Sequence, residues 1–212
     1  MAKIEVNIQS SIMLSGTKTL YFDPWKLGEN APKADVVFVT HDHFDHYSPQ
    51  DIKNIMTENT VIVAPEKMIS DVIEKTGVSK EKCIAAVPME KYEANGIEFE
   101  TVPAYNKLKP FHKKSDGWCG YIAQLDGKSY YVMGDTDATE EAKRVSCDVL
   151  LIPVGGTYTM NVNKAAEFTC TVKPETAVPT HYGDVVGSPE DGESFKKLVE
   201  AKCPEINVEI KL

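Results

Sequence analysis

The chain predicts a layered α/β fold in which two sheets pack face to face with helices on the outside. Three observations carry that expectation. Short apolar runs of strand length alternate with segments at helical spacing, glycine-bearing dipeptides mark hairpins, and 212 residues with 42% hydrophobic content can bury a sizeable core. No low-complexity tract or long Pro/Gly/Ser linker breaks the pattern, so one domain over residues 1–212 is expected.

The elements follow in order. Ile4, Val6 and Ile8 alternate as in a half-buried strand, and after Ser15-Gly16 the run Thr19 to Phe22 reads as its partner. Asp35 to Thr40, Thr60 to Ala64, Asp148 to Ile152 and Glu175 to Thr180 are short apolar runs suited to central strands. Asn95-Gly96 and Asp126-Gly127 are hairpin turns, the second joining Tyr121–Leu125 to Ser129–Met133. Ser48-Pro49-Gln50-Asp51 sets a capping hydroxyl, an N1 proline and an early acid before Ile52, Ile55 and Met56. Ser188-Pro189-Glu190-Asp191 predicts the same start before Phe195, Leu198 and Val199. A further helix carrying Ile69, Val72 and Ile73 should stop at Gly77, and another should run from Asn163 through Phe168 to before Pro174.

A net charge of −9 argues against polyanion partners, since phosphate contacts draw on Lys and Arg. Nucleic acid and anionic membrane surfaces are therefore not expected partners. The segment Met1 to Val6 has no apolar leader core, and no run approaches the roughly 18 apolar residues of a membrane span, which leaves a cytoplasmic protein as the expectation. Cys83, Cys119, Cys147, Cys170 and Cys203 form no Cys-x-x-Cys pair and read as reduced, buried thiols, none a nucleophile or ligand.

The chemistry is concentrated after the run Asp35 to Thr40. Three of the five histidines, His41, His43 and His46, stand with Asp42 and Asp45 in one hexapeptide beyond a strand's C-terminal end, where α/β proteins place ligands. Residues at i and i+2 of an extended chain project to one side, so His41 and His43 can share one metal while Asp45 and His46 turn toward another. Imidazole and carboxylate donors suit zinc, manganese or iron(II) better than calcium. Acid or histidine also closes other strand-like runs: Asp23 after Phe22, Asp135 in Gly134-Asp135-Thr136, and His181 after Thr180. His112 lies in a loop before the Tyr121 hairpin.

At these positions the sequence resembles the metallo-β-lactamase superfamily, whose His-x-His-x-Asp-His motif is matched at His41, His43, Asp45 and His46. The resemblance covers nearly the whole chain and implies a four-layer αββα sandwich with two metals in the cleft between the sheets. By that resemblance His41, His43 and His112 would hold one ion, Asp45, His46 and His181 the other, with Asp135 bridging and Asp23 orienting a ligand imidazole. Pro103-Ala104-Tyr105-Asn106, Gly155 to Met160 and Pro179 to Gly183 look like the ascorbate-phosphate lactonase-like branch. One departure stands out: many members carry a Gly-His-Thr-like third motif, whereas this chain has Phe111-His112-Lys113, and Tyr105 could align there instead. Neutral tyrosine is a poor ligand for these metals, so His112 is retained.

Such a site implies a metal-dependent hydrolase acting on an ester-, lactone- or phosphoester-type small molecule. Paired divalent ions lower the pKa of water from about 16 to roughly 7. Asp45 or Asp135 could then take up a proton, and Tyr158, Tyr182 or Tyr105 could hydrogen-bond a developing oxyanion. Lys107, Lys109, Lys113 and Lys114 flank His112 and could draw in an anionic substrate, although a solvated loop accounts for them as well. A flavodiiron-type redox site would carry Glu where His43 stands and an attached flavin domain, and a nuclease would need a basic surface; neither pattern is present. The alternative from another class is a metal-binding regulatory or scaffolding protein without turnover.

Overall fold

The computed structural model describes residues 2–107 and 109–212. The first sheet holds β1 (Lys3–Ile8), β2 (Ser11–Ser15), β3 (Thr19–Phe22), β4 (Val36–Phe38), β5 (Val61–Pro65) and β6 (Cys83–Ala86), in that spatial order. β1 to β3 are antiparallel, and β3 to β6 run parallel. The second sheet holds β7 (Lys91–Ala94), β8 (Ile97–Pro103), β9 (Cys119–Leu125), β10 (Lys128–Val132), β11 (Val149–Pro153), β12 (Thr176–Thr180) and β13 (Asn207–Val208), again neighbour by neighbour. β7 to β10 are antiparallel, and β10 to β13 are parallel.

Strand alternation builds the four layers. Val36 and Phe38 point into the space between the sheets, where they meet Phe99, Tyr121 and Leu151 of the opposite sheet. Phe38 stacks on Phe22 at 4.6 Å and meets Phe99 edge-on at 5.0 Å, so aromatic contacts join the sheets. Val37, Val39 and Ile62 face the other way, onto Ile52 and Ile55 of α1 (Pro49–Ile55) and Val72 of α2 (Ile69–Thr76). On the second sheet Leu150, Ile152 and Ala177 turn outward to Ala165 and Phe168 of α3 (Val162–Val172) and Phe195 and Val199 of α4 (Asp191–Lys202). Strands covered on both faces read as continuous apolar runs, which is why their sequences lack alternation. The expected αββα sandwich is the fold observed.

Local chemistry sets the ends of these elements. Ser48 accepts from the Asp51 amide at the start of α1, and Gly77 ends α2 in the left-handed conformation. Asn95-Gly96 and Asp126-Gly127 each hold two left-handed residues at a two-residue turn, as a type I′ hairpin requires.

Three expectations are corrected. Thr19–Phe22 is not the partner of β1, because Ser11–Ser15 forms a strand between them through a tight turn at Gln9-Ser10. Ser188 does not cap α4: that helix begins at Asp191, Glu190 supplies no capping bond, and the Ser188 hydroxyl bonds Glu190 instead. Cys170 and Cys203 are disulfide-bonded rather than reduced, joining α3 to the C-terminal end of α4 with a Cα separation of 5.9 Å. Those helices pack side by side, a proximity that a sequence separation of 33 residues does not announce. Cys83, Cys119 and Cys147 are free.

Candidate metal centre

The parallel strands of both sheets end at one edge, and the residues that follow them meet there. Asp23 follows β3, His41 to His46 follow β4, Asp135 follows β10 and His181 follows β12, while His112 arrives from the loop between β8 and β9. Asp23, His41, Asp45, His46, His112, Asp135 and His181 are all buried, and His43 is half-buried. Asp23, His112 and His181 adopt left-handed φ angles of 47°, 58° and 59°. Such backbone costs of order 1–3 kcal/mol per residue and persists only where surrounding contacts over-determine it.

Those contacts are visible. The Asn106 amide donates to the His112 carbonyl at 2.8 Å, and the His181 amide donates to the Gln9 carbonyl at 2.9 Å. Gly134 precedes Asp135 with φ of 64°, and a Cβ there would stand 2.9 Å from Thr40, so only glycine lets β10 end this close to the β4 loop. Gly155 lies against the His181 carbonyl, where a Cβ would collide with that oxygen.

The donor atoms gather into three groups, each within 4.8 Å: His41 with His43 and His112; His41 with His46 and Asp135; and Asp45 with His46 and His181. His41 Nε2 lies 3.2 Å from His43 Nδ1. His181 Nε2 lies 3.2 Å from Asp135 Oδ1 and 3.3 Å from Asp45 Oδ2, and His46 Nε2 lies 3.3 Å from Asp135 Oδ1. The second oxygen of Asp135 faces His112 Nε2 at 3.9 Å. Ligands bound about 2.1 Å from one ion in a tetrahedron stand about 3.4 Å apart, so these spacings fit a cation between the donors.

Burial supplies an independent test of that fit. His46 Nε2, both ring nitrogens of His112 and His181, and Asp135 Oδ1 are buried without a hydrogen-bond partner. Stranded polar atoms cost about 1–3 kcal/mol each, and bound cations would satisfy His46 Nε2, Asp135 Oδ1 and one ring nitrogen each of His112 and His181.

Neighbours that are not ligands fix the tautomers. Asp23 accepts from the Thr40 amide and hydroxyl at 2.7 Å each, and the same carboxylate lies 2.7 Å from His46 Nδ1. The Thr40 hydroxyl, having given its proton to Asp23, accepts from His41 Nδ1 at 2.9 Å. Both imidazoles are thereby turned to offer Nε2 to the centre. Trp118 packs against the rings of His41, His43 and His112 at 4.9, 5.2 and 5.0 Å. Thr40, Gln9 and Trp118 are contributors that sequence reasoning did not find, because an ordinary threonine, glutamine or tryptophan carries no motif.

Burial and facing charge together set the protonation states. Burial drives His41 well below the ordinary imidazole range, with its histidine neighbours adding to the shift. Burial also draws His112 down to about 4 against the pull of Asp135, which leaves both rings neutral and able to ligate. Burial opposes charge on His46 as well, but Asp135 and Asp23 outweigh it and hold that ring up to about 9. Burial would raise Asp45, yet His181 and His46 overcome it and bring the acid down to about 2. Burial raises Asp23 above its usual range. The position where Asp45, Asp135 and His46 meet thus favours positive charge.

Of the three tyrosines, only Tyr158 lines the cavity beside His43 and Asp45. The Tyr105 hydroxyl bonds Glu141 at 3.0 Å, and Tyr182 is buried with its ring against Gly192 of α4, so both are withdrawn as oxyanion donors. Lys107 pairs with Glu140, Lys114 with Glu141, and Lys109 with Asp137 while also bonding the Thr159 carbonyl.

An αββα sandwich with a histidine and aspartate cluster at its strand ends defines the metallo-β-lactamase class. The beta-lactamase superfamily domain family matches residues 8–181, and the chain belongs to it as a metal-dependent hydrolase. A UPF0173 metal-dependent hydrolase of Pyrococcus abyssi is 32% identical over 225 aligned positions, covering 96% of this chain and 94% of the relative. A crystal structure from Parabacteroides distasonis superposes with a TM-score of 0.82 at 30% identity, covering 100% of this chain and 93% of the other. The fold is shared with the metallo hydrolase Igni18 of Ignicoccus hospitalis, with a TM-score of 0.80, 24% identity, and coverage of 99% and 94%. No described helix is long and apolar enough to cross a membrane.

Proposed function

We propose that this chain is a one-domain cytoplasmic hydrolase with a dinuclear centre, acting on an ester, lactone or phosphoester bond of a small molecule. His41, His43 and His112 would hold one ion and Asp45, His46 and His181 the other, with Asp135 between them. Zinc is the first choice, and manganese or iron(II) are the ions the same donors accept. The observation that carries the reading is Asp135, whose two oxygens face different histidines, Oδ1 toward His46 and His181 and Oδ2 toward His112.

Bound divalent ions would supply a water acidified to near neutrality and a Lewis acid for the substrate oxygen. The chain's own residues do the rest. Asp45 is the acid that reaches the cavity, so it is the group placed to take up and return a proton at its carboxylate. Asp135 lies deeper and holds the histidines together. Tyr158 borders the same cavity and can donate its hydroxyl to charge developing on the substrate oxygen. Asp23 and Thr40 keep His46 and His41 oriented. A substrate-class screen of zinc-loaded protein against Asp45→Ala tests the reading. Turnover in the parent that disappears in the variant supports it, and turnover that survives Asp45→Ala contradicts it.

A further inference from the structure

The cavity that opens on this cluster is lined by His43, Phe44, Asp45, Phe111, Tyr158 and Val185 and encloses about 250 Å³. Phe44, Phe111 and Val185 are 65%, 49% and 38% exposed. Among the described residues only Met89 and Leu212 are other large apolar side chains so open to solvent. Single exposed apolar residues are ordinary, but three from three separate loops converging on one mouth form a binding surface. The walls are braced: Trp25 meets Phe44 edge-on at 5.8 Å, and Tyr158 meets Phe111 edge-on at 5.3 Å.

Cationic side chains are kept away from this mouth. Among the described residues no Lys or Arg lines it, the Lys109 ammonium is bonded to Asp137 and backbone carbonyls, and Lys26 is paired with Asp184. The acid in the lining is Asp45. Apart from the metal ions themselves, an anionic substituent would find no cationic side chain in this lining, whereas an apolar ring would cover exposed aromatic surface. The volume is smaller than the roughly 300–1,000 Å³ of sites that take drug-sized ligands.

We infer that the protein hydrolyses small uncharged esters or lactones whose acyl part carries an aromatic or branched aliphatic group, seated between Phe44, Phe111 and Val185. The inference rests on the metal-hydrolase reading. In the reaction the acyl carbon–oxygen bond breaks, the oxygen of water takes its place on the acyl carbon, and a proton from that water passes to the leaving alcohol.

The experiment has a binding arm and a turnover arm on one zinc-loaded sample whose metal content is measured. Benzyl methyl ketone, acetone and the anion levulinate are titrated while backbone amide shifts are followed by NMR. Benzyl methyl ketone is expected to shift residues 43–45, 111, 158 and 185 and to half-saturate at a concentration about tenfold to a hundredfold below acetone, the gain expected from covering one phenyl group. Levulinate, whose carboxylate can bind only at the metal, should bind equally well when Phe44 and Phe111 are replaced by Ala. Phe44→Ala combined with Phe111→Ala should erase most of the advantage while leaving the metal content unchanged. In the turnover arm, methyl phenylacetate should exceed monomethyl succinate by about tenfold or more in kcat/KM. Shifts confined to other residues, a benzyl methyl ketone advantage that survives both substitutions, levulinate binding that falls with them, the reverse order of the two esters, or no turnover of either with metal bound would overturn the inference. Loss of the metal itself would instead defeat the hydrolase reading, leaving the amide shifts to judge the apolar mouth.

Discussion

The two sheets bring their site residues together in opposite ways. The first delivers His41, His43, Asp45 and His46 in one loop after β4, with Asp23 alongside at the end of β3. The second delivers one residue per loop, namely His112, Asp135 and His181. In the first case the chain's own covalent geometry keeps the donors together. In the second, tertiary packing must do it: His112 and His181 are held in left-handed backbone, as Asp23 is on the first sheet, and the glycines Gly134 and Gly155 permit the close approach. A metal centre spanning both sheets would therefore join a locally specified half to a half that exists only when the fold is complete.

The largest effect is expected where the halves meet. Asp135→Ala removes the group facing His46, His181 and His112, and should cut hydrolysis at least about a thousandfold and lower bound metal, measured as kcat/KM and metal per chain. If Asp135→Ala kept both, the halves would not be coupled through this acid. Next comes the brace on the second half. Cys170→Ser opens a cross-link spanning 33 residues and should destabilise the fold by about 3–4 kcal/mol in urea unfolding, with no such loss for Cys83→Ser on the first sheet. A thiol count of three in the denatured, unreduced chain should accompany it; five would mean the pair is reduced.

Within the first half, Asp23→Asn keeps the shape but weakens the acceptor for His46 Nδ1 and the Thr40 hydroxyl. Metal affinity should fall about 10- to 100-fold, read by competition with a chromogenic chelator. Unchanged affinity would show that the loop sequence orients its imidazoles unaided. The smallest effect belongs to the lysine loop: Lys113→Gln with Lys114→Gln should change kcat/KM for neutral esters less than about twofold, because exposed charges of this kind contribute little. A selective loss for anionic esters would restore a steering role to that loop.

How much could be read from the sequence follows the same division. The hexapeptide after β4 was legible because spacing within a single loop is a geometric statement. Asp135 and His181 were legible as strand ends, but their meeting with His112 was implied by family resemblance rather than by spacing. The central strands were readable as apolar runs and the hairpins as Asn-Gly and Asp-Gly. Ser11–Ser15 escaped because Gln9-Ser10 turns the chain without a glycine signal, and Gln9 itself takes φ of 50°. The Cys170–Cys203 bond and the packing of Trp118 on three histidines escaped because both arise only from side-by-side packing of distant segments. Ser48 and Ser188 open nearly identical tetrapeptides, yet only the first caps its helix, since Ser188 is drawn to Glu190.

Metal stoichiometry tests the central claim most directly. Inductively coupled plasma mass spectrometry of zinc-reconstituted protein should give two ions per chain, falling to one in His112→Ala, where one of the two groups loses a donor. A count of one or none in the parent chain, or two ions still held after His112→Ala, would contradict a dinuclear centre shared between the two sheets.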